Sequence, residues 1–528
     1  MQSLYAAKVV DVAFDEANLV SDAGLVPAIA LAEQVGLPEL VLDHLSIVDA
    51  DNSGGANPHA KVMSLVAGMV AGADSIEDVD RLRQTGNRRV FGRMRAPSTL
   101  GTFLRSFSHG HVQQLNVVLR QSLVALAGRV DLLPGADQVV YVDLDSTHRQ
   151  VYGYAKQGAE NGRLKGKKTL HPLLATVSTP IARPVVAGIR LRRGKSADVR
   201  GAARLLAETL AVVRRIAPDA TVVVRGDSKF YCADVVATAA RYGAAVSLTT
   251  GSNPSITAAV SGIDHSAWTA ICYPDAFVDT DTGELVSDAE VAEAPYTAFT
   301  SRPKRQQVHG RLIVRRVKRL NAQAAAGQDE LFTTWRHHAV FVTSRFELLQ
   351  AEGQHRDHAV VEQVIAEAAA GALAHLPSGS FNANAAWAVL WAIAHNLTRA
   401  AGTLASTFHA RAATATIRAQ LINVPAPDRP RRPPPHPAPA RGLALGGGLD
   451  RPARRRSPTR PNRGLTTRPK GPDQTAPRGK SGQTGGTTAH RTGTPRNQDR
   501  QPTVIDHGIS FGGSGLRYAS LDVSDDRS

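Results

Sequence analysis

The chain has 528 residues, with 62 Lys+Arg against 46 Asp+Glu, a formal net charge of +16 and a pI near 10.2. That length accommodates about two to four domains and a large core, while two cysteines, Cys232 and Cys272, exclude a disulfide framework or a four-thiolate zinc site and fit a reducing, cytoplasmic setting. The opening residues 1–8 lack the basic-then-apolar order of a secretory signal, and no apolar run approaches the length of a bilayer span, so no membrane role is expected.

Residues 1–135 read as helical. Segments 27–35 and 61–69 carry apolar residues at helical spacing, and Ser75-Ile-Glu-Asp78 has the form of a capping box. Segment 80–95 places six arginines beside Ser98 and Thr99, which reads either as a phosphate-contacting face or as a solvated helix.

Strands and helices alternate over residues 136–250. The expected order is a strand at 138–145, an extended pair covering 148–155 and 172–190, a helix at 198–216, a strand at 220–227, a helix at 232–242 and a strand at 244–250. Such alternation with an antiparallel start indicates a mixed α/β sheet. Residues 251–345 turn β-rich, and the run 311–319 alternates apolar with cationic residues, predicting a strand with one strongly basic face. Residues 346–424 return to helix, where Trp387 and Trp391 are expected to fill core.

From residue 425 onward the composition changes abruptly. This tail holds 19 Lys+Arg against 8 Asp+Glu, hence +11 of the +16, together with 16 of the 30 prolines. It has too few aromatic and β-branched residues to bury a core, so disorder is expected, with the charge adding sequence-blind affinity for a polyanion. A shifted reading frame in a GC-rich gene would also produce such a tail.

Three acidic residues stand where short apolar runs or an amphipathic helix hold them. Asp145 ends the first strand and shares a face with Asp143. Asp227 follows Gly226 at the C-terminal end of the second, where α/β sheets place their ligands, with Arg225 as an alternative counter-ion. Glu362 lies on a helix striped by Val361, Val364, Ile365 and Ala368, with His355 and His358 along the same side. Gathered carboxylates suit hard divalent cations and point to phosphoryl transfer. A zinc site at His355, His358 and Glu362 is a geometric alternative.

The strand motif Asp143-Leu-Asp-Ser-Thr147 with Val151-Tyr-Gly153, the Arg225-Gly-Asp-Ser228 turn, the His-x-x-His-x-x-x-Glu helix and the segment from Asn384 to Leu397 together resemble DDE transposases of bacterial insertion sequences, closest to the IS-thirteen-eighty group. The likeness runs from about residue 10 to about residue 424. It implies a ribonuclease-H-like catalytic core (136–250 and 346–424) interrupted by a β-rich insertion (251–345), preceded by a DNA-binding helical region (1–135) and followed by the tail (425–528). It also implies Asp145, Asp227 and Glu362 as catalytic metal ligands, Asp143 in reserve, two Mg²⁺ ions with Mn²⁺ able to substitute, and DNA as substrate.

By the same likeness the partners are the element's terminal repeats and target DNA, bound by a homodimer, and excision passes through a DNA hairpin. Relatives carry Tyr, Arg and Lys around the Glu, where this chain has His355, His358 and Ala369. The two histidines are then expected to meet DNA phosphates, with Arg311, Arg315 and Lys318 holding strands in the insertion. Asp145 would bridge both metals, and Asp227 and Glu362 would each hold one. The altered Glu helix and the tail also fit a disabled DNA-binding remnant.

Overall fold

The fold grows outward from one strand. Residues 139–146 are dominated by β-branched and aromatic side chains, and Val140 to Leu144 are all buried, the pattern of a strand covered on both faces. In the computed structural model this strand, β1 (Val139–Ser146), pairs antiparallel with β2 (Leu173–Ser178), which pairs antiparallel with β3 (Val185–Arg190). On its other side lie β4 (Thr221–Gly226) and β5 (Ala245–Thr249), both parallel to it. The mixed sheet with an antiparallel start is as expected from the sequence. Segment 148–155 departs from expectation: residues 149–150 join a separate small sheet with 160–161 and 168–170.

The structure describes residues 18–48, 53–84, 86–153, 155–162, 164, 166–271, 277–278, 285–286, 289–318 and 335–428. These fall in one compact unit. The tail beyond residue 428, with its expected disorder, and Cys272 lie outside the described residues, while Ala426 and Pro427 pair antiparallel with Val20 and Leu19.

Apart from a two-residue ladder between 277–278 and 285–286, the described strands of the β-rich segment extend the central sheet. Strands β6 (Thr269–Ala270), β7 (Ala289–Ala298), β8 (Val308–Lys318) and β9 (Trp335–Val342) are antiparallel neighbours, and β9 pairs with β5. A single nine-stranded sheet results, ordered β6-β7-β8-β9-β5-β4-β1-β2-β3.

Helices flank this sheet. The first two, α1 (Leu25–Gln34) and α2 (Leu37–His44), bend by 51° and bury Leu25, Leu31, Leu37 and Val41. Then come α3 (Pro58–Ala71), α4 (Pro97–Arg105) and α5 (His109–Ala127). Among the described residues no single helix is long and apolar enough to cross a membrane. The expected capping box is present: Ser75 Oγ accepts from the Asp78 N–H at 3.2 Å and Asp78 Oδ2 from the Ser75 N–H at 3.1 Å. The arginine-rich segment 80–95 is not one helix, and Arg81 pairs with Asp22 and Arg83 with Asp80.

Helix α6 (Ala202–Ile216) crosses from β3 to β4, and α7 (Ala233–Arg241) from β4 to β5. After β9 follow α8 (Leu348–Arg356), a 3-10 turn at 357–359, α9 (Val360–Ala369) and α10 (Phe381–Ala405). The last is apolar all round and buried on nearly every side, as a helix enclosed by other elements must be. It packs on α3, α5 and β3, with Trp387 and Trp391 in the core as expected. Its Asn396 accepts from the Val186 N–H and donates to the Val186 carbonyl, both at 2.8 Å. Those two bonds occupy the outward-facing backbone groups of Val186 on edge strand β3.

Candidate active site

Parallel pairing of β1 with β4 sets Asp143 beside Arg225. Arg225 Nε and a terminal nitrogen donate to Asp143 Oδ1 and Oδ2 at 2.7 and 2.8 Å, and the other terminal nitrogen donates to the Gln354 carbonyl at 2.6 Å. The guanidinium also lies over the Tyr141 ring, 4.0 Å from its centroid. His358 Nδ1 stands 2.9 Å from Asp143 Oδ1. Burial alone would raise the Asp143 pKa, but Arg225 and His358 outweigh it and hold the carboxyl below its usual range. Both Asp143 oxygens are therefore engaged, which leaves Asp145 as the carboxylate at the strand end. Arg225 serves Asp143 and is not the counter-ion of Asp227.

Asp145 is half-buried, and its Oδ1 accepts from the Ser146 N–H at 2.6 Å. Burial pushes its pKa up to about 6, the nearby Asp227 charge acting in the same direction against the Ser146 N–H, His358 and Lys229. Asp227 follows β4 directly and caps a 3-10 turn at 228–230, accepting from the Lys229 N–H at 3.0 Å. Lys229 Nζ lies 3.1 Å from Asp227 Oδ2 and 3.9 Å from Asp198 Oδ1. An ammonium thus sits where carboxylates converge.

Glu362 occupies the first turn of α9, exposed. Among the described residues it makes no hydrogen bond or ion pair with Asp145 or Asp227. Of the expected common side, His355 and His358 do stack, with centroids 6.5 Å apart, but across the 3-10 turn at 357–359 Glu362 stays exposed and away from both rings' partners. Both histidines turn toward the sheet. His355 lies 2.9 Å from Ser247 Oγ through Nδ1 and 3.0 Å from Thr249 Oγ1 through Nε2, and burial pushes its pKa down to about 4. Both ring nitrogens of His355 therefore face hydroxyl groups of β5, and burial favours the neutral ring.

The basic face expected on β8 is largely committed to internal partners. Arg311 pairs with Glu293 at 2.6 Å and donates to the Phe346 carbonyl, and Arg315 lies 4.0 Å from Glu352. Arg316 is buried against Glu290, with its guanidinium over the rings of Trp268 and Trp335. Lys318 ends the strand, and its side chain lies outside the described residues.

Sequence reasoning missed the support behind β1. Ser146 Oγ donates to Asp198 Oδ1 at 2.9 Å, and Asp198 lies 3.2 Å from His171 Nε2. His148 stacks on His171 with centroids 3.9 Å apart. One ligand atom from each of His148, His171 and Asp198 falls within 4.8 Å of the others, so the trio has the spacing of a metal cluster. Its chemistry is less suited. His171 Nδ1 must donate to the Ser196 carbonyl at 3.1 Å, so its Nε2 carries the lone pair, and the Arg192 guanidinium already stands 3.2 Å from that nitrogen. The Lys229 in Arg225-Gly-Asp-Ser-Lys was the one legible signal.

The protein-family model described as Transposase DDE domain group 1 matches residues 2–427. The chain belongs to this family. Membership implies divalent-metal use and a polynucleotide-cleaving transferase, and the Asp145–Asp227 pair fits a hard cation, with an ammonium already drawn to it. No curated protein matches. Among solved structures the chain is similar to the piggyBac transposase synaptic complex with hairpin DNA, at 10% identity over 76% of this chain and 79% of that one, with a TM-score of 0.39.

Proposed function

We propose that this chain is a DNA transposase of an insertion sequence, nearest the IS-thirteen-eighty group, with a ribonuclease-H-like core. It binds the terminal inverted repeats of its element, cleaves the DNA ends and joins the freed 3′-hydroxyl to target DNA, acting as a homodimer. The observation that carries this reading is the meeting of Asp145 and Asp227 at the C-terminal ends of adjacent parallel strands, above the buried Asp143–Arg225 pair.

Asp145, Asp227 and Glu362 would hold two Mg²⁺ ions, for which Mn²⁺ can substitute. Such cations activate an attacking oxygen and stabilise the leaving one in an in-line displacement at phosphorus. The chain's own part is positional. The Arg225–Asp143 pair anchors β1 to β4, so that Asp145 and Asp227 keep their spacing. Asp145 and Asp227 would supply the carboxylate ligands, and Lys229, now beside Asp227, marks the place a cation would take. Glu362, exposed one turn beyond His358, reaches the pair as DNA closes on the site.

The test uses DNA carrying the inverted repeats that flank the chain's own gene, with and without Mg²⁺, and an Asp227→Ala variant. Breaks at the repeat ends that need metal and vanish in the variant, followed by joined products, support the proposal. Breaks without joining indicate a nuclease, and binding without breaks a disabled copy.

A further inference from the structure

We infer that a second, arginine-lined cleft at the same end of the sheet holds the DNA backbone about three nucleotides from the cleavage point, an inference that rests on the transposase reading. The cleft encloses about 460 Å³ between the start of α5, the segment 189–204 and the start of α10. Arg190, Arg192, Arg193, Arg200 and Arg204 all line it.

Their charge is only partly compensated. Glu208 receives Arg120 at 3.0 Å, Arg190 at 2.7 Å and Arg204 at 3.1 Å, three guanidinium groups on one carboxylate. Arg193 and Arg200 are exposed and make no ion pair among the described residues. Two helix starts strengthen the field. Gly201 is the N-cap of α6 and Phe381 the first residue of α10, and both line the cleft; α6 has no side-chain cap, whereas the Phe381 N–H donates to Gln157 Oε1 at 3.0 Å. Uncapped helix N-termini present donor N–H groups and partial positive charge to anions. Gly201 has φ +83°, a conformation that favours glycine, and so brings no side chain over the start of α6.

The cleft is tied to the catalytic strand by register. Ser146 pairs with Leu173, and Leu173 with Arg190, so Arg190 stands two strands from the residue after Asp145. At about 4.8 Å per strand this is roughly 10 Å, or about three nucleotides at about 3.4 Å each along a duplex. The wall between the two is fixed. Buried Arg192 donates to the carbonyls of His171, Ala197, Asp198 and Arg200, while the Asp198 side chain receives Ser146 Oγ. A strand leaving Asp145 thus meets a row of guanidinium groups.

The test measures affinity of the full chain for a repeat-end duplex across salt concentrations without divalent metal, for wild type, Arg193→Gln/Arg200→Gln and, as a charge control, Arg241→Gln on the exposed end of α7. The expected result is a slope of log K against log salt shallower by about 2 in the double variant, about one per phosphate contact, and unchanged in the control, with all three melting alike. An unaltered slope in the double variant overturns the cleft, even if wild type cuts DNA with Mg²⁺. A shallower slope in a protein that never cuts DNA keeps the cleft and removes the transposase reading. If the double variant instead loses affinity for inorganic phosphate with its DNA slope intact, the occupant is a free anion and the inference fails.

Discussion

Arg225 and Asp143 form a bidentate pair in which both side chains are almost wholly withdrawn from water, 1% and 0% exposed. Removing the cation strands a carboxylate in the interior. Arg225→Met is expected to cost about 3–5 kcal/mol, read from urea unfolding. A loss below 1 kcal/mol would mean that His358 alone satisfies Asp143.

Asp145 has the opposite electrostatics. Its folded pKa near 6 exceeds the ordinary carboxyl value, so this group contributes stability below about pH 4 that is lost as pH rises through 6. Asp145→Asn should therefore melt higher than wild type at pH 7.5 in metal-free buffer, while cutting no DNA. A variant that melts lower at pH 7.5 contradicts the assignment.

Glu362 offers a cleaner separation of fold from chemistry. Exposed on the first turn of α9, it should tolerate Glu362→Gln within about 0.5 kcal/mol. Repeat-end cleavage should nevertheless disappear. Retained cleavage would remove Glu362 from the metal-binding set.

Three histidines make the protein acid-sensitive. Burial pushes His171, His355 and His395 each down to about 4, well below the ordinary imidazole value. A base whose folded pKa is depressed contributes stability that is complete above about pH 6.5 and lost as pH falls toward 4. The urea midpoint should drop across that window, and His355→Gln should flatten the drop. A midpoint constant from pH 7 to 4.5 would contradict burial of these rings.

Asn396→Leu tests the sealed sheet edge. It leaves the Val186 N–H and carbonyl without the side-chain amide, at an expected cost of about 1–3 kcal/mol. Amide exchange at Val186 should accelerate more than at Val142 in the sheet centre.

Much of this was legible because its signals are local. Runs of β-branched residues marked β1, β4 and β5, and the turn at Gly226 placed Asp227 correctly at a strand end. What escaped were relations between strands. Nothing in spacing shows that Arg225 faces Asp143 across a parallel pair rather than Asp227 two residues on, because that depends on register. The stripe through Val361, Val364 and Ala368 was right, yet periodicity is blind to the 3-10 turn that separates His355 and His358 from Glu362. The alternation in β8 was read as a basic face because its acidic partners, Glu290, Glu293 and Glu352, come from other segments.

The route by which the chain leaves and rejoins its central strands carries an engineering consequence. Thr250 donates its N–H to the Ala339 carbonyl at 2.9 Å, and Thr343 donates to the Val246 carbonyl at 3.0 Å. The exit after β5 and the return along β9 are thus neighbouring rungs of one ladder. A segment attached at adjoining points can be lengthened between its strands while the core keeps its pairing, provided β8 is kept, since Leu312 and Val314 belong to that core. The junction at Thr250 and Ala339 is accordingly a natural place to graft a foreign DNA-recognition module onto this catalytic sheet.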